Sequence, residues 1–472
     1  MSASLPPAAP WFGRIRALWI ESQRGIGDVF LMLLPQSVIV LTGFLTTVLI
    51  ARGLGPASLG RYSLVLSVAG LTTAFSDLGI GQTAIRYAAR AVTAGRSAEH
   101  LAVLRWALRL RLVMVSAMAL FVALAAPVIA GRFWHTPELT PLIRLGLLAG
   151  VFAAVASAPT VYFQSIRGFG RNALVQVGQA LVSLAAVLLV AALGRWSVGA
   201  IVVASVVAAA IGALAFLPLV PRAALLSAAG AGRAGARGRS LWRSPIDPAS
   251  VADDDAGPGA FAIYNLISTV VVMITLRLDV WLMGVFARPD QIGLYTVASR
   301  LALPMGLVLA AVSGALWPRA SSRTDPRAAL ALLKRTFQLS IPLGLLAVLY
   351  ALVVPLLTPW LFGSAYQSSR VLAQVLCLRY ALAILIVPVG VVGYSLGLVR
   401  VYWIINLVQL VAVAVLDVTL LPRLGPMAAA LALIVSEVLG VTLAGGALLM
   451  RARRIRKEAL ADQESARSDD AP

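Results

Sequence analysis

Charged residues, cysteine, histidine and lysine are all scarce in this sequence. Of 472 residues only 12% are charged and 60% are hydrophobic, whereas soluble proteins carry about 25% charged residues. Because so few charges cannot cover a soluble surface of this size, we expect lipid to surround most of the chain. The single cysteine, Cys377, rules out an intrachain disulfide, and with only two histidines we expect no metal site.

Motifs for nucleotide hydrolysis and for metal-dependent proteolysis are also missing. The chain has no Gly-x-x-x-x-Gly-Lys-Ser/Thr loop and no His-Glu-x-x-His pair, and we expect it to bind no cofactor. The predicted external loops are too short to hold a domain with catalytic carboxylates. The chain is therefore predicted to be a transporter and not an enzyme, with a membrane glycosyltransferase or polymerase as the alternative.

The apolar residues fall into long blocks separated by short polar breaks. About 20 apolar residues are needed for a helix to cross the hydrocarbon core, and backbone in lipid must satisfy its own hydrogen bonds. The blocks therefore predict an all-α polytopic membrane protein with about twelve transmembrane helices. The predicted spans are 28–50, 59–81, 110–130, 142–163, 173–193, 198–220, 261–286, 292–316, 338–360, 371–392, 401–421 and 427–450.

The distribution of basic residues predicts the orientation of these spans. The net charge is +20, a value that would also suit a nucleic-acid-binding protein. However, 28 of the 39 basic residues fall on the side of the termini, seven in the opposite loops and four inside spans. Cytoplasmic loops accumulate arginine and lysine, so we expect both termini in the cytoplasm, contact with anionic lipids and no nucleic-acid partner.

The chain is predicted to divide into two lobes of six spans each, 28–220 and 261–450. An interfacial segment, 1–27, precedes them, and Trp11 and Trp19 interleave there with basic residues. The stretch 221–260 is rich in glycine, alanine and arginine and is predicted to be a flexible cytoplasmic linker. The stretch 451–472 is predicted to be a cytoplasmic tail, basic and then acidic.

Two short motifs recur in both lobes. Gly60-Arg61-Tyr62 and Gly293-Leu294-Tyr295 each place Gly-x-Tyr at the start of a span, 233 residues apart. A cytoplasmic turn of the form Gly-x-x-Arg follows span four at 168–171 and span ten at 397–400. These matches indicate an internal duplication with its axis along the membrane normal, and they predict a substrate path between the lobes.

Ionisable residues inside the predicted spans are candidates for function, because a charge in hydrocarbon usually faces a cavity or a partner. The arginines outnumber the acids in spans seven, eight and ten, which predicts an anionic substrate. The acids are candidates for counter-ions or for carrying a coupling ion, while internal ion pairs that lock helices together are the structural alternative. The candidates for lining the substrate cavity are Arg277, Arg300, Arg379 and Gln36, and those for coupling or for counter-ions are Asp279, Asp417, Glu437 and Asp77.

Prolines interrupt several predicted spans, and each one removes a backbone hydrogen bond. Pro35 in span one and Pro304 in span eight are the predicted hinges. A static kink is the alternative at each position.

The opening of the chain resembles a known transporter family. The motif Ala51-Arg52-Gly53-Leu54-Gly55, followed by Gly60-Arg61-Tyr62 and later by Asp77-Leu78-Gly79, resembles the Wzx-type polysaccharide flippases of the MATE-like superfamily. The stretch from Arg277 to Tyr295 resembles the start of their second half. The resemblance implies two six-helix lobes around a central cavity that work by alternating access.

The resemblance also implies a substrate and its contacts. The substrate would be an oligosaccharide on polyprenyl pyrophosphate, moved to the external leaflet of the cell membrane and passed to a polymerase or other assembly proteins. Arg277 and Arg300 hold positions that imply contact with the pyrophosphate, and Arg52 matches an arginine at the end of the first span. Many family members have more than twelve spans. An ion-coupled drug exporter of the same superfamily and a non-transporting scaffold are the further alternatives.

Overall fold

The computed structural model of the protein describes residues 11–77, 79–222, 258–321, 326–396 and 398–469, and most of the predicted linker lies outside these ranges. The described residues are helical and include no strand. Their thirteen α-helices are α1 (Trp11–Asp77), α2 (Ile80–Thr93), α3 (Ser97–Val128), α4 (Thr140–Ala156), α5 (Ala158–Ser165), α6 (Phe169–Ala192), α7 (Val198–Phe216), α8 (Pro258–Phe286), α9 (Pro289–Ser321), α10 (Pro326–Phe362), α11 (Ser369–Ser395), α12 (Val399–Leu424) and α13 (Pro426–Asp469).

The helices are long enough to account for the predicted membrane crossings. Ten stretches of the described residues are sufficiently long and apolar to span a bilayer. The first, Pro35–Phe75, has 41 residues. At about 1.5 Å per residue its length is about twice the thickness of a hydrocarbon core, which is about 30 Å. Counting it twice and adding α8, which has 29 residues, gives twelve crossings. The predicted all-α membrane architecture is therefore confirmed.

Helix α1 is broken into two helices at Gly55. This residue has φ 74° and ψ 171°, and its backbone is the only non-helical one inside the described helix. That region of conformational space is essentially restricted to glycine. Pro56 follows, and proline at the first position of a helix costs nothing because its missing N–H has no partner there. Gly55-Pro56 therefore ends span one and begins span two, at the boundary that the sequence predicts.

The thirteen helices form two groups that meet mainly along α1. Helices α1 to α7 pack with one another, as do α8 to α13. The most extensive contact between the groups joins α1 to α9, and a second joins α1 to α8. The two-lobed arrangement agrees with the architecture predicted from the sequence.

Reciprocal contacts relate the two lobes by an approximate twofold axis. A Cβ atom at Gly60 would overlap the carbonyl oxygen of Pro289, and one at Gly293 would overlap that of Pro56. Both pairs are related by the same offset of 233 residues as the Gly-x-Tyr motif. Thr296 Oγ1 donates to Ser63 Oγ at 2.8 Å, and these residues also differ by 233. Because equivalent residues contact each other only at a twofold axis, the axis passes between them.

The loops that follow spans three and nine make a second reciprocal contact. Tyr366 donates to the carbonyl oxygen of Ala51 at 2.9 Å, and the indole of Trp134 packs directly on Gly284. Ala51 and Gly284 are again 233 residues apart. Each lobe therefore reaches over the end of the first helix of the other lobe.

The two motif glycines are predicted to be required for closure at this end of the molecule. Replacing either Gly60 or Gly293 with alanine should destabilise the contact by about 1–3 kcal/mol, the usual cost of overpacking, and should do so equally for both. Thermal unfolding of the purified protein measures this. Gly445→Ala is the matched control, because a Cβ there meets nothing within 4 Å. Equal melting temperatures for all three variants would contradict the close backbone approach.

Several helix boundaries differ from the predicted ones. The predicted span 142–163 is divided at Ser157, whose hydroxyl donates to the carbonyl oxygen of Ala154 at 2.7 Å, and α5 begins with a proline in its first turn. Helix α13 continues to Asp469, well past the predicted end at 450. Arginine, lysine and glutamate follow there and favour helix in water. At the other end, α1 begins at Trp11 and continues without a break into span one.

Candidate substrate cavity

A cavity of about 260 Å³ lies beside the contact between α1 and α9. Both halves of α1 line it, together with α6 and α9, so it receives side chains from both lobes. Gly60 lies between the lining residues Leu59 and Tyr62 in the sequence, so the reciprocal glycine contact is next to the cavity. The lining residues are Ile39, Gly43, Thr46, Thr47, Ile50, Leu59, Tyr62, Ser63, Leu66, Ala180, Ser183, Thr296 and Arg300.

Arg300 is the only permanently charged group among these lining residues. It lies one helical turn from Thr296 on α9, so the two side chains share a face of the helix. Its guanidinium is close enough to Tyr62 and Arg277 to interact electrostatically with both. An acid that would neutralise Arg300 is not found among the lining residues, so the cavity has a positive charge that a bound anion would balance.

Hydroxyl groups surround this arginine. Thr47 donates to the carbonyl oxygen of Gly43 at 2.9 Å, and Ser183 donates to the carbonyl oxygen of Gln179 at 3.1 Å. The hydroxyl of Tyr62 shares a hydrogen bond with the hydroxyl of Ser205 at 3.1 Å. Hydroxyls that bond to their own helix can sit in an apolar span at little cost and can rotate toward a ligand. The described lining residues therefore combine hydroxyl groups with apolar side chains and include no acid that would bind a cation.

Arg277 lies near Arg300 but outside the lining of the cavity. Its side chain is exposed and packs on α1, where a Cβ at Gly70 would lie 3.3 Å from Nη2. One turn further along α8, Trp281 borders an apolar cavity of about 260 Å³ between α1 and α3. Arg277 thus packs against α1, one helical turn from a residue that borders this second cavity.

Arg52, Arg379 and Gln36 have other surroundings. Arg52 donates to the carbonyl oxygens of Trp360 and Leu361, each at 2.7 Å, which satisfies two of the unpaired carbonyls that end every helix. Arg379 forms an ion pair with Glu437 at 3.6 Å inside the second lobe. Gln36 is exposed on α1. None of the three lines the cavity around Arg300.

Two of the predicted carboxylates lie close together in the second lobe. Asp279 is buried, accepts a hydrogen bond from the Tyr295 hydroxyl and a second from the backbone N–H of Val280 at 2.7 Å. Asp417 is fully buried, and within the described residues neither carboxylate oxygen has a hydrogen-bond partner. Asp279 lies on α8 and Asp417 on α12, and these two helices pack against each other. A buried carboxylate without a partner is costly, so this pair would be stabilised by a bound proton or cation.

The other predicted groups have local roles. Asp77 pairs with Arg111 at 3.4 Å, and Arg111 also donates to Ser157 at 2.7 Å, so this acid joins α1 to α3 and α4. The helices run through Pro35 and Pro304 without interruption. The hinge roles of these prolines stay predictions, because the observed break in α1 lies at Gly55.

Sequence reasoning missed the hydroxyl groups of the cavity. Tyr62, Ser63 and Thr296 lie in or directly after the repeated Gly-x-Tyr motif. The motif was interpreted only as a sign of duplication. Because the motif recurs in both lobes and the predicted substrate path lies between the lobes, its side chains could have been expected to face that path.

Comparison with known proteins finds one matching family. Residues 27–227 match the family described as polysaccharide biosynthesis protein, and this match covers the first lobe. It confirms the resemblance seen in the opening motifs. No curated protein matches the sequence significantly.

Several solved structures share the fold. An inward-facing multidrug resistance MATE transporter of the MOP superfamily matches with a TM-score of 0.64 and 14% identity, over 89% of this chain and 95% of that one. The lipid II flippase MurJ matches with a TM-score of 0.66 and 14% identity, over 94% and 93%. A MATE transporter of Vibrio cholerae matches with a TM-score of 0.59 and 15% identity, over 91% and 97%.

Proposed function

We propose that this chain, which folds like the MATE-like transporters and whose first lobe matches the polysaccharide biosynthesis protein family, moves a lipid-linked oligosaccharide across the cell membrane. The substrate would carry a pyrophosphate between its lipid and its glycan. Transport would run from the cytoplasmic to the external leaflet by alternating access of the cavity between the lobes. A polymerase or other assembly proteins would receive the glycan outside.

The unneutralised Arg300 carries this proposal. A pyrophosphate needs positive charge and hydrogen-bond donors, and arginine offers a planar fork that suits phosphate oxygens. The hydroxyls of Thr47, Ser63 and Thr296 add further donors, and polar lining suits a glycan. A cationic drug would need a carboxylate in the cavity, so this lining disfavours the exporter that remains the second candidate.

The charges of the loops support the orientation that we propose. The end at the contact between Gly60 and Gly293 carries few basic residues, whereas the opposite end carries most of them, and cytoplasmic loops accumulate basic residues. In this orientation the reciprocal glycine contact lies on the external side. Separation of the reciprocal glycine contact would open the cavity to the external leaflet.

Asp279 and Asp417 are the proposed site of ion coupling. The cost of burying these carboxylates falls when one of them binds a proton or a cation, so occupancy would change the energy of packing around α8, α9 and α12. Because Tyr295 links Asp279 to α9, the helix that also carries Arg300, ion binding and substrate binding would act on the same helix. Glu437 is better assigned to the structural pair with Arg379.

Deletion of the gene in its host tests the proposal. We expect lipid-linked repeat units to accumulate on the cytoplasmic leaflet and surface polysaccharide to disappear, both measured with a leaflet-resolved glycan assay. Unchanged surface polysaccharide together with a new sensitivity to cationic compounds would instead identify an exporter. Sugar incorporation by the purified protein alone would identify a transferase.

A further inference from the structure

A basic groove lies on the surface at the end of the bundle opposite the glycine contact. It is formed by α2, which connects spans two and three, and by the turn between α5 and α6. Three of its lining residues are arginines and none is acidic. The groove has a volume of about 400 Å³ and is lined by Arg86, Ala89, Arg90, Thr93, Ala94 and Arg167.

Helix α2 presents two of the arginines together. It buries Ala84, Ala88 and Ala91 and packs on α3 and α5. Arg86 and Arg90 lie on the exposed side, four residues apart, so the two guanidinium groups share one face of the helix. One phosphate bound in the groove could accept hydrogen bonds from both.

Arg167 reaches the groove from a backbone position that favours glycine. It follows the end of α5 with φ 55°. Its N–H bonds to the carbonyl oxygen of Gln164 at 3.2 Å, and that of Gly168 bonds to Phe163 at 2.7 Å. This is the Schellman arrangement, in which the left-handed position is usually a glycine. Arg167 thus lines the groove from a strained backbone position, and strain of this kind is concentrated at functional sites.

Exposed apolar side chains flank the three arginines. Val92 is 41% exposed and directly precedes the lining residue Thr93. Phe169 is 47% exposed and lies two residues after the lining residue Arg167. Apolar and basic side chains mixed at the end of a transmembrane bundle are typical of the boundary between headgroups and acyl chains. These surroundings would suit the groove to a lipid headgroup.

We propose that Arg86, Arg90 and Arg167 form a binding site for the phosphate of a membrane lipid headgroup at the cytoplasmic surface. Three guanidinium groups can each donate two hydrogen bonds to phosphate oxygens. The ligand is either a glycerophospholipid or a polyprenyl pyrophosphate, which share this chemistry. The site lies apart from the cavity around Arg300, so lipid binding there does not depend on the proposed transport.

Lipid titration of the purified full-length protein tests the site. Phosphatidylglycerol, phosphatidylcholine and undecaprenyl pyrophosphate would be added separately, and bound lipid would be counted by native mass spectrometry. Arg86→Gln and Arg167→Gly each remove one arginine. We expect each of them to lower the affinity for phosphatidylglycerol or for undecaprenyl pyrophosphate about fivefold. The melting temperature of Arg167→Gly should not fall, because glycine relieves the backbone conformation.

Arg96→Gln is the matched control, because Arg96 is exposed on the same connection but pairs with Glu99 at 2.7 Å. Loss of phosphatidylglycerol binding in the site variants alone would identify a phospholipid site, and selective loss of undecaprenyl pyrophosphate binding would identify the carrier. Unchanged binding of both lipids in Arg86→Gln and Arg167→Gly would overturn the proposal. So would an equal loss in Arg96→Gln, since any surface arginine would then suffice.

Discussion

Replacing Arg300 with alanine is expected to lower glycan export about a hundredfold while the protein stays folded. A hydrogen-bonded charge contributes up to about 3 kcal/mol, and each 1.4 kcal/mol is about a factor of ten. The loss should be large because Arg300 is the only permanent charge among the described residues that line the cavity. Surface polysaccharide in the deletion host, complemented with the variant, measures export. Membrane abundance and melting temperature measure folding.

Two further variants make this test specific. Arg300→Lys keeps the charge but loses the planar fork, so we expect partial export. Arg144→Ala removes an exposed arginine whose Nε bonds only to the carbonyl oxygen of Ala123 within the described residues, and we expect normal export. Normal export by a folded Arg300→Ala variant would show that transport does not need Arg300. The proposed contact between this arginine and the pyrophosphate would then be wrong.

Replacing Asp417 with asparagine is expected to stabilise the protein and to uncouple it. The change keeps the shape of the side chain and removes a fully buried carboxylate that has no hydrogen-bond partner among the described residues, so the melting temperature should rise. One charge moved across 100 mV is worth about 2.3 kcal/mol, which corresponds to an accumulation ratio of about fifty. The Asp417→Asn variant should show no accumulation driven by the gradient, while exchange of substrate without a gradient continues.

Reconstituted vesicles with an imposed proton or sodium gradient measure this accumulation and show which ion is used. Asp290→Asn is the matched control, since Asp290 is exposed and pairs with Arg288 at 3.1 Å, and we expect full accumulation. Gradient-driven accumulation at the wild-type level in Asp417→Asn would show that this carboxylate does not carry the coupling ion. A fall in melting temperature would show that Asp417 has a stabilising partner.

The sequence alone was sufficient for the membrane architecture. The length of the apolar blocks set the number of crossings, because a helix in lipid must span about 30 Å. Gly55-Pro56 marked the turn between the first two spans, since few residues other than glycine adopt that backbone conformation. The opening motifs also identified the family resemblance. These features depend on local chain chemistry, which the sequence states directly.

The roles of the intramembrane charges could not be read in the same way. Arg52, Arg300 and Arg379 are alike as arginines near or inside spans, yet one caps a helix, one lines the cavity and one pairs with Glu437. Their roles depend on how each helix is rotated in the bundle. In a soluble protein the polar face of a helix reveals that rotation. Here the lipid-facing side is as apolar as the core, so Leu356 is 74% exposed while Leu301 is 1% exposed.

What the sequence determined by itself was the set of helices, their order and the repeat that relates the two lobes. Only the tertiary structure decided which side chains meet across that repeat. Gly60 and Gly293 became a reciprocal backbone contact, and Ser63 and Thr296 became a hydrogen-bonded pair on the axis. The physical reason is that lipid provides no hydrophobic force to orient one apolar helix against another. Close packing and a few polar contacts set that orientation, and both exist only once the lobes are assembled.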